Sequence, residues 1–130
     1  MSIFGVDIAS GSPSGRRAPS YSMVFLDGGD VALFHMISRH KLIRLIRERQ
    51  PEIVAMDNLH ELASDRRELI NILRRMPPAT RMVQVTGGEM PESLLKLARY
   101  HGITFDRTKP LQEAEACARL AAKGVGAVLS

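Results

Sequence analysis

Two aspartates end strand-like runs in this chain. Asp7 closes Ile3-Phe4-Gly5-Val6-Asp7, and Asp57 closes Ile53-Val54-Ala55-Met56-Asp57. An acid at the carboxyl end of a strand faces the crevice in which open α/β sheets bind ligands. Two such acids on neighbouring strands can share a divalent cation, because hard cations such as Mg²⁺ take oxygen ligands. The competing role is structural: strand-end aspartates commonly open turns or cap helices. Asn58, Glu61 and Asp65 follow Asp57 closely. They suit either support for that acid or caps of the next helix.

The periodicity says which elements must hold these acids. Residues 3–9 are apolar nearly throughout, as in a strand buried on both faces. Residues 10–20 are rich in Ser, Gly and Pro and read as a loop. Residues 21–26 form a second strand, and Asp27-Gly28-Gly29-Asp30 is a hairpin signal that returns the chain along residues 31–36. The period then changes. Leu42, Ile43, Leu45 and Ile46 fall at helical spacing behind Ser38, a suitable N-cap, and Pro51 stops the helix. Residues 53–57 form the fourth strand. A second helix spans about 64–75, with Leu69, Ile70, Ile72 and Leu73 as its apolar face, and Pro77-Pro78 ends it. Residues 82–85 form a fifth strand, followed by Thr86-Gly87-Gly88. A third helix runs from about Pro91 to Tyr100 and stops at Gly102. Residues 103–105 read as a short extended piece. The last helix covers about 110–123, and the segment after Gly124 holds another strand-like fragment. Right-handed crossovers from strand three to four and from four to five are preferred. They predict an α/β fold with a five-stranded mixed sheet, three antiparallel strands then two parallel, and helices on both faces. With strand one central and strand four beside it, Asp7 and Asp57 are neighbours.

Composition narrows the function classes. The chain has 130 residues, 45% hydrophobic and 25% charged, which suits one compact domain and excludes a disordered polymer. No apolar run approaches bilayer length. The N-terminus lacks a basic segment followed by an apolar one, so no secretory signal is expected and the expected compartment is cytoplasmic. The single cysteine, Cys117, cannot form an internal disulfide and fits a small core position. The formal charge is +4, and 14 of the 18 basic residues are Arg. Arginine suits bidentate phosphate contact, so a nucleic-acid partner, DNA or RNA, is expected. Arg16 and Arg17 in the first loop, and Arg66 and Arg67 on the second helix, are the candidate backbone contacts. Arg74, Arg75 and the five basic residues of the first helix extend such a track. No P-loop pattern is present. His35, His40, His60 and His101 lack metal-ligand spacing, and the few aromatics argue against extensive base stacking.

Gly5-Val6-Asp7-Ile8-Ala9-Ser10-Gly11-Ser12, Asp57, and Leu111-Gln112-Glu113-Ala114-Glu115-Ala116-Cys117-Ala118 together resemble the RNase H-like superfamily, in its RuvC and YqgF branch. Val54-Ala55-Met56-Asp57-Asn58-Leu59, Val83-Gln84-Val85-Thr86-Gly87 and Ala121-Ala122-Lys123-Gly124-Val125-Gly126 are similar to an uncharacterised archaeal family of possible nucleases. The resemblance spans residues 1–130 as one RNase H-like domain, which the abrupt end allows to be excised from a longer protein. It implies Mg²⁺ or Mn²⁺ held by Asp7, Asp57 and an acid of the last helix, and two-ion phosphodiester cleavage. RuvC-like enzymes carry two aspartates three positions apart on that helix. The matching positions here are Gln112 and Glu115, so one carboxylate is replaced by an amide. Glu113 is the alternative ligand. It lies about 160° from Glu115 around a helix, so both cannot face one site.

Two functions stand on this reading. One is a metal-dependent nuclease acting on structured DNA or RNA. The other is an inactive nucleic-acid-binding or assembly module of the same fold within a longer protein; a homodimer and further domains of the same polypeptide fit either reading. A nucleotide-binding α/β domain fits less well, because such folds begin β-α-β rather than with a hairpin.

Overall fold

The computed structural model of the protein describes residues 1–86 and 92–129. Strands β1 (Ser2–Ser10), β2 (Ser20–Asp27) and β3 (Asp30–Ser38) open the chain. Helix α1 (Arg39–Arg49), strand β4 (Ile53–Met56), a single 3-10 turn (Leu59–Glu61), helix α2 (Arg66–Arg74) and strand β5 (Arg81–Gln84) follow. Helices α3 (Glu92–Tyr100) and α4 (Pro110–Ala122) and strand β6 (Ala127–Val128) complete it. The strand order is β3-β2-β1-β4-β5-β6, with β1 central. β1, β2 and β3 pair antiparallel, and β4 and β5 run parallel to β1.

The expected α/β class and mixed sheet are present, but the sheet has six strands, not five. The sixth pairs antiparallel with β5, Val83 opposite Val128. Gly126 makes that return possible. Its φ is +114°, and a Cβ there would sit 2.7 Å from Val83 Cγ1. Only glycine takes this conformation against a neighbouring strand at little cost. Residues 103–105, expected to be extended, form no strand; Ile103 and Phe105 instead pack beside Leu94 and Ala98. The glycines of Thr86-Gly87-Gly88, and the helix start expected at Pro91, lie outside the described residues.

Caps set the helix limits. The Ser38 side chain accepts from Lys41 N at 3.1 Å, and Gln50 closes α1 in the left-handed region. Asp65 caps α2 by accepting from Glu68 N at 2.8 Å, so that helix begins at Arg66 rather than 64. Glu68 in turn accepts from Ser64 N, a reciprocal capping arrangement. Ile70, assigned to the apolar face, is 39% exposed, and Ile72 carries the burial.

The sheet separates two cores. On one face, Phe4, Val6, Met23, Val54 and Met56 meet Leu42, Ile43 and Ile46 of α1 and Ile72 of α2. On the other, Ala55 and Val83 meet Leu94 and Ala98 of α3 and Cys117, Leu120 and Ala121 of α4. α4 lies close over β1 because β1 carries Gly5: a Cβ there would stand 1.9 Å from the Ala114 carbonyl oxygen and 2.8 Å from Ala118 Cβ. β3 is an outer strand, and Val31, Leu33 and Met36 on it are exposed. Its pairing with β2 breaks between Tyr21 and Met23, where Met36 takes a φ of 57°. Among the described residues, no helix is long and apolar enough to cross a membrane.

Candidate functional site

Strand alternation aims the acids. Phe4 and Val6 point into the α1–α2 core while Gly5 meets α4, so period two turns Asp7 to the α4 side. On β4, Val54 and Met56 point to α1–α2 and Ala55 to α3–α4, so Asp57 follows Ala55. The parallel ladder ends at Val6 opposite Met56, and the next residues are the two aspartates. β1 then bulges: Ile8 pairs with Tyr21 but Ser10 with Ser20, leaving Ala9 as an extra residue beside the site.

Two more carboxylates arrive from other elements. The Asn58 side chain caps the 3-10 turn, accepting from His60 N at 2.9 Å, and Leu59 N donates to Gln84 Oε1 at 3.0 Å. That fixes Glu61, whose Oε2 accepts the Ile8 N–H at 3.2 Å just past the end of the β1–β4 ladder. The Tyr21 hydroxyl donates to the Glu61 carbonyl at 2.6 Å. Glu113 stands in the first turn of α4, and its carboxyl is hydrogen-bonded to that of Asp7. Thr86 Oγ1 donates to Asp57 Oδ1. Asp7, Asp57, Glu61 and Glu113 line one crevice of about 380 Å³, together with Ile8, Leu94, Arg107 and Thr108.

Crowding and burial favour the protonated forms of these groups. Burial first, then the charges of Glu61 and Glu113, push Asp7 up to about 9. Burial pushes Glu61 up to about 7, against the Ile8 N–H that favours its ionised form. Burial also raises Asp57, opposed by the Thr86 hydrogen bond. Glu113 is raised by burial, while its bond to Asp7 and the Arg107 guanidinium pull it back. The hydrogen bond between Asp7 and Glu113 favours the protonated form of Asp7 and the ionised form of Glu113. Cys117, beneath them, is fully buried and its thiol is pushed well up, so it is inert core.

The donors are all oxygens, the set that hard divalent cations prefer. A cation among them would relieve the repulsion that now retains protons. Among the described residues, no three His, Cys, Asp or Glu side chains already surround a point that an ion could occupy. The Asp7–Glu113 contact would have to open. The donor chemistry fits Mg²⁺ or Mn²⁺ on that condition.

Of the acids expected at the site, the structure brings together Asp7, Asp57 and Glu113 and does not bring Glu115. Glu115 lies around the helix, its Oε1 accepting from Arg119 Nη2 at 2.7 Å. Gln112 also turns away and accepts from Asp106 N at 2.8 Å. Arg16 and Arg17 are exposed in the first loop, Arg66 and Arg67 are exposed at the start of α2, and none of the four lines the crevice. Glu61 was legible only as a supporting group. Its signal was its place among Leu59, Leu62 and Ala63, all of which are buried. Arg107 and Thr108 gave no signal beyond standing just before Pro110.

No family model matches the chain, and no curated protein matches it. A solved structure of Thermus thermophilus RuvC is similar over 99% of this chain and 100% of that chain, at 16% sequence identity and a TM-score of 0.47.

Proposed function

We propose that this chain is a divalent-cation-dependent phosphodiesterase acting on structured DNA or RNA. The observation that carries the reading is the convergence of Asp7, Asp57, Glu61 and Glu113, from four separate elements, on one crevice. Asp7, Asp57 and Glu113 would hold Mg²⁺ or Mn²⁺. When bound, such ions activate a water and stabilise the leaving oxygen of a phosphodiester. Glu61 is fixed by the Ile8 N–H and pushed up to about 7, so it can take or give a proton near neutral pH. Arg107 lines the same crevice, and a guanidinium matches the paired oxygens of a phosphate. The resemblance of the strand-one motif and Asp57 to the RuvC and YqgF branch, and of residues 54–59, 83–87 and 121–126 to an archaeal family of possible nucleases, points the same way.

Cleavage of labelled branched DNA, RNA–DNA hybrid and single strands, with Mn²⁺ or with EDTA, tests the proposal. Expected is cleavage of at least one substrate in Mn²⁺, lost in EDTA and lost in Asp7→Asn. Activity that survives both EDTA and Asp7→Asn would sink it.

A second reading is a non-catalytic nucleic-acid-binding module of the same architecture. It is favoured by the hydrogen-bonded Asp7–Glu113 contact and by Gln112 turned to the 106 loop. Nucleic-acid binding with no cleavage, and with no Mn²⁺ effect on melting, selects it.

A further inference from the structure

We propose that the cleft between α1 and α2 anchors the sugar–phosphate backbone of a nucleic acid, at a site separate from the carboxylate crevice and needing no cation. The proposal deepens the phosphodiesterase reading and rests on it only for where the anchored strand leads.

The cleft consists of two adjoining cavities of about 490 and 380 Å³ that share His40, Ile43 and Arg75. Its floor is apolar, from buried Ile43 and Ile72. Its walls are basic: α1 presents Arg44 and Arg47, and the C-cap of α2 presents Arg75. Two acids reach the cleft, and each has a cationic neighbour of its own. Glu68 lies 2.7 Å from Arg39, and Glu48 lies 3.7 Å from Arg44. That leaves Arg47 and Arg75 on facing walls, neither with a carboxylate partner among the described residues. Two unneutralised guanidiniums across an open trough attract a repeating anion, and their planar forks match phosphate oxygens. Ala18 and Pro19 form one rim, which brings the loop carrying Arg16 and Arg17 to the end of the cleft.

The cleft and the crevice share no lining residue, but one stretch of chain touches both. Arg39 Nη1 donates to the Leu62 carbonyl at 2.9 Å, and the preceding residue, Glu61, lines the crevice. Glu61 on the crevice and Glu68 on the cleft thus belong to one short segment. Guanidiniums spaced along an open trough suit a polymer with an anion at every repeat. With no Phe, Tyr or Trp among the described residues that line it, the cleft suits backbone contact rather than base stacking.

The test is fluorescence anisotropy of a labelled mixed-sequence oligonucleotide, single-stranded and duplex, over a salt series in EDTA. Expected for Arg47→Gln/Arg75→Gln is a loss of about tenfold or more in affinity, with a salt slope shallower by about 1–2. The control pair Arg99→Gln/Lys123→Gln removes the same charge from α3 and the end of α4 and should cost less than about twofold, with little change in slope. Arg47→Lys/Arg75→Lys keeps the charge and should retain most of the affinity; melting curves of each variant report folding. Equal losses in the cleft and control pairs would overturn the proposal, as would no oligonucleotide binding. Polyglutamate bound as tightly as the oligonucleotide, with the same dependence on Arg47 and Arg75, would overturn it in favour of an acidic protein partner. Because EDTA is present throughout, failure here leaves the hydrolase reading intact, and failure of cleavage leaves the cleft intact.

Discussion

Asp7 dictates an unusual response to pH. Its carboxyl titrates near 3.8 when exposed but at about 9 in the fold. Between those values the unfolded chain has released a proton that the folded chain retains, so the unfolded state binds fewer protons and stability falls as pH rises. The contribution is intact below about pH 4 and is lost by about pH 9. Glu61 adds a loss of the same sign between about 4.5 and 7. Urea unfolding of the cation-free protein from pH 5 to 9 should therefore show declining stability. Asp7→Asn should flatten that slope and raise stability at pH 7. A slope unchanged in Asp7→Asn would refute the assignment. Cation binding should behave in the opposite sense, tightening as pH rises because the ligands must lose their protons. With Mn²⁺ at about 100 times its Kd, stabilisation of ~2.7 kcal/mol is expected. Differential scanning fluorimetry should show this gain abolished in Asp7→Asn and Asp57→Asn and kept in Glu115→Gln. At this scale, Asp7 and Asp57 were legible because a strand's end is visible in the period of its apolar residues. The choice between Glu113 and Glu115 was not. It depends on how α4 is rotated over the sheet, which Gly5 and the alanines of that helix determine only once they touch.

That contact between α4 and β1 sets the geometry of the site from one element away. Gly5 lets the helix backbone approach the strand, and Glu113 immediately precedes the Ala114 carbonyl that a Cβ at position 5 would strike. Gly5→Ala must move α4 outward, because backbone rather than a flexible side chain stands in the way. Overpacking of this kind costs ~1–3 kcal/mol. Thermal melts should show that loss, and Mn²⁺ titration should show a changed affinity as Glu113 shifts relative to Asp7. Normal melting with normal Mn²⁺ affinity would mean the helix position does not matter. The central strands were readable because each combines a clear apolar period with a turn or proline at its end. β6 was missed as part of the sheet: two residues carry no period, and its pairing depends on the backbone of Gly126 rather than on any side-chain pattern. The α2 boundary moved by two residues because Asp65 is the cap and Ser64 only donates to Glu68.

Taken whole, the molecule separates its charges. Carboxylates gather at the ends of β1 and β4, and guanidiniums face each other between α1 and α2 on the opposite side of the sheet from α3 and α4. The net +4 is therefore not evenly spread, and raising salt should weaken polyanion binding while changing Mn²⁺-dependent melting far less. Isothermal titration of each ligand at two ionic strengths would check this, and equal salt sensitivity would contradict it. The crooked passage at Met36 has its own outcome for behaviour in concentrated solution. An outermost strand bearing Val31 and Leu33 would, if straight, offer a template on which further chains could stack into fibrils. The extra residue twists that border, so an incoming chain cannot lie flush against it. Deleting Met36 should straighten it, and turbidity and thioflavin fluorescence should then grow at protein concentrations where the parent stays clear.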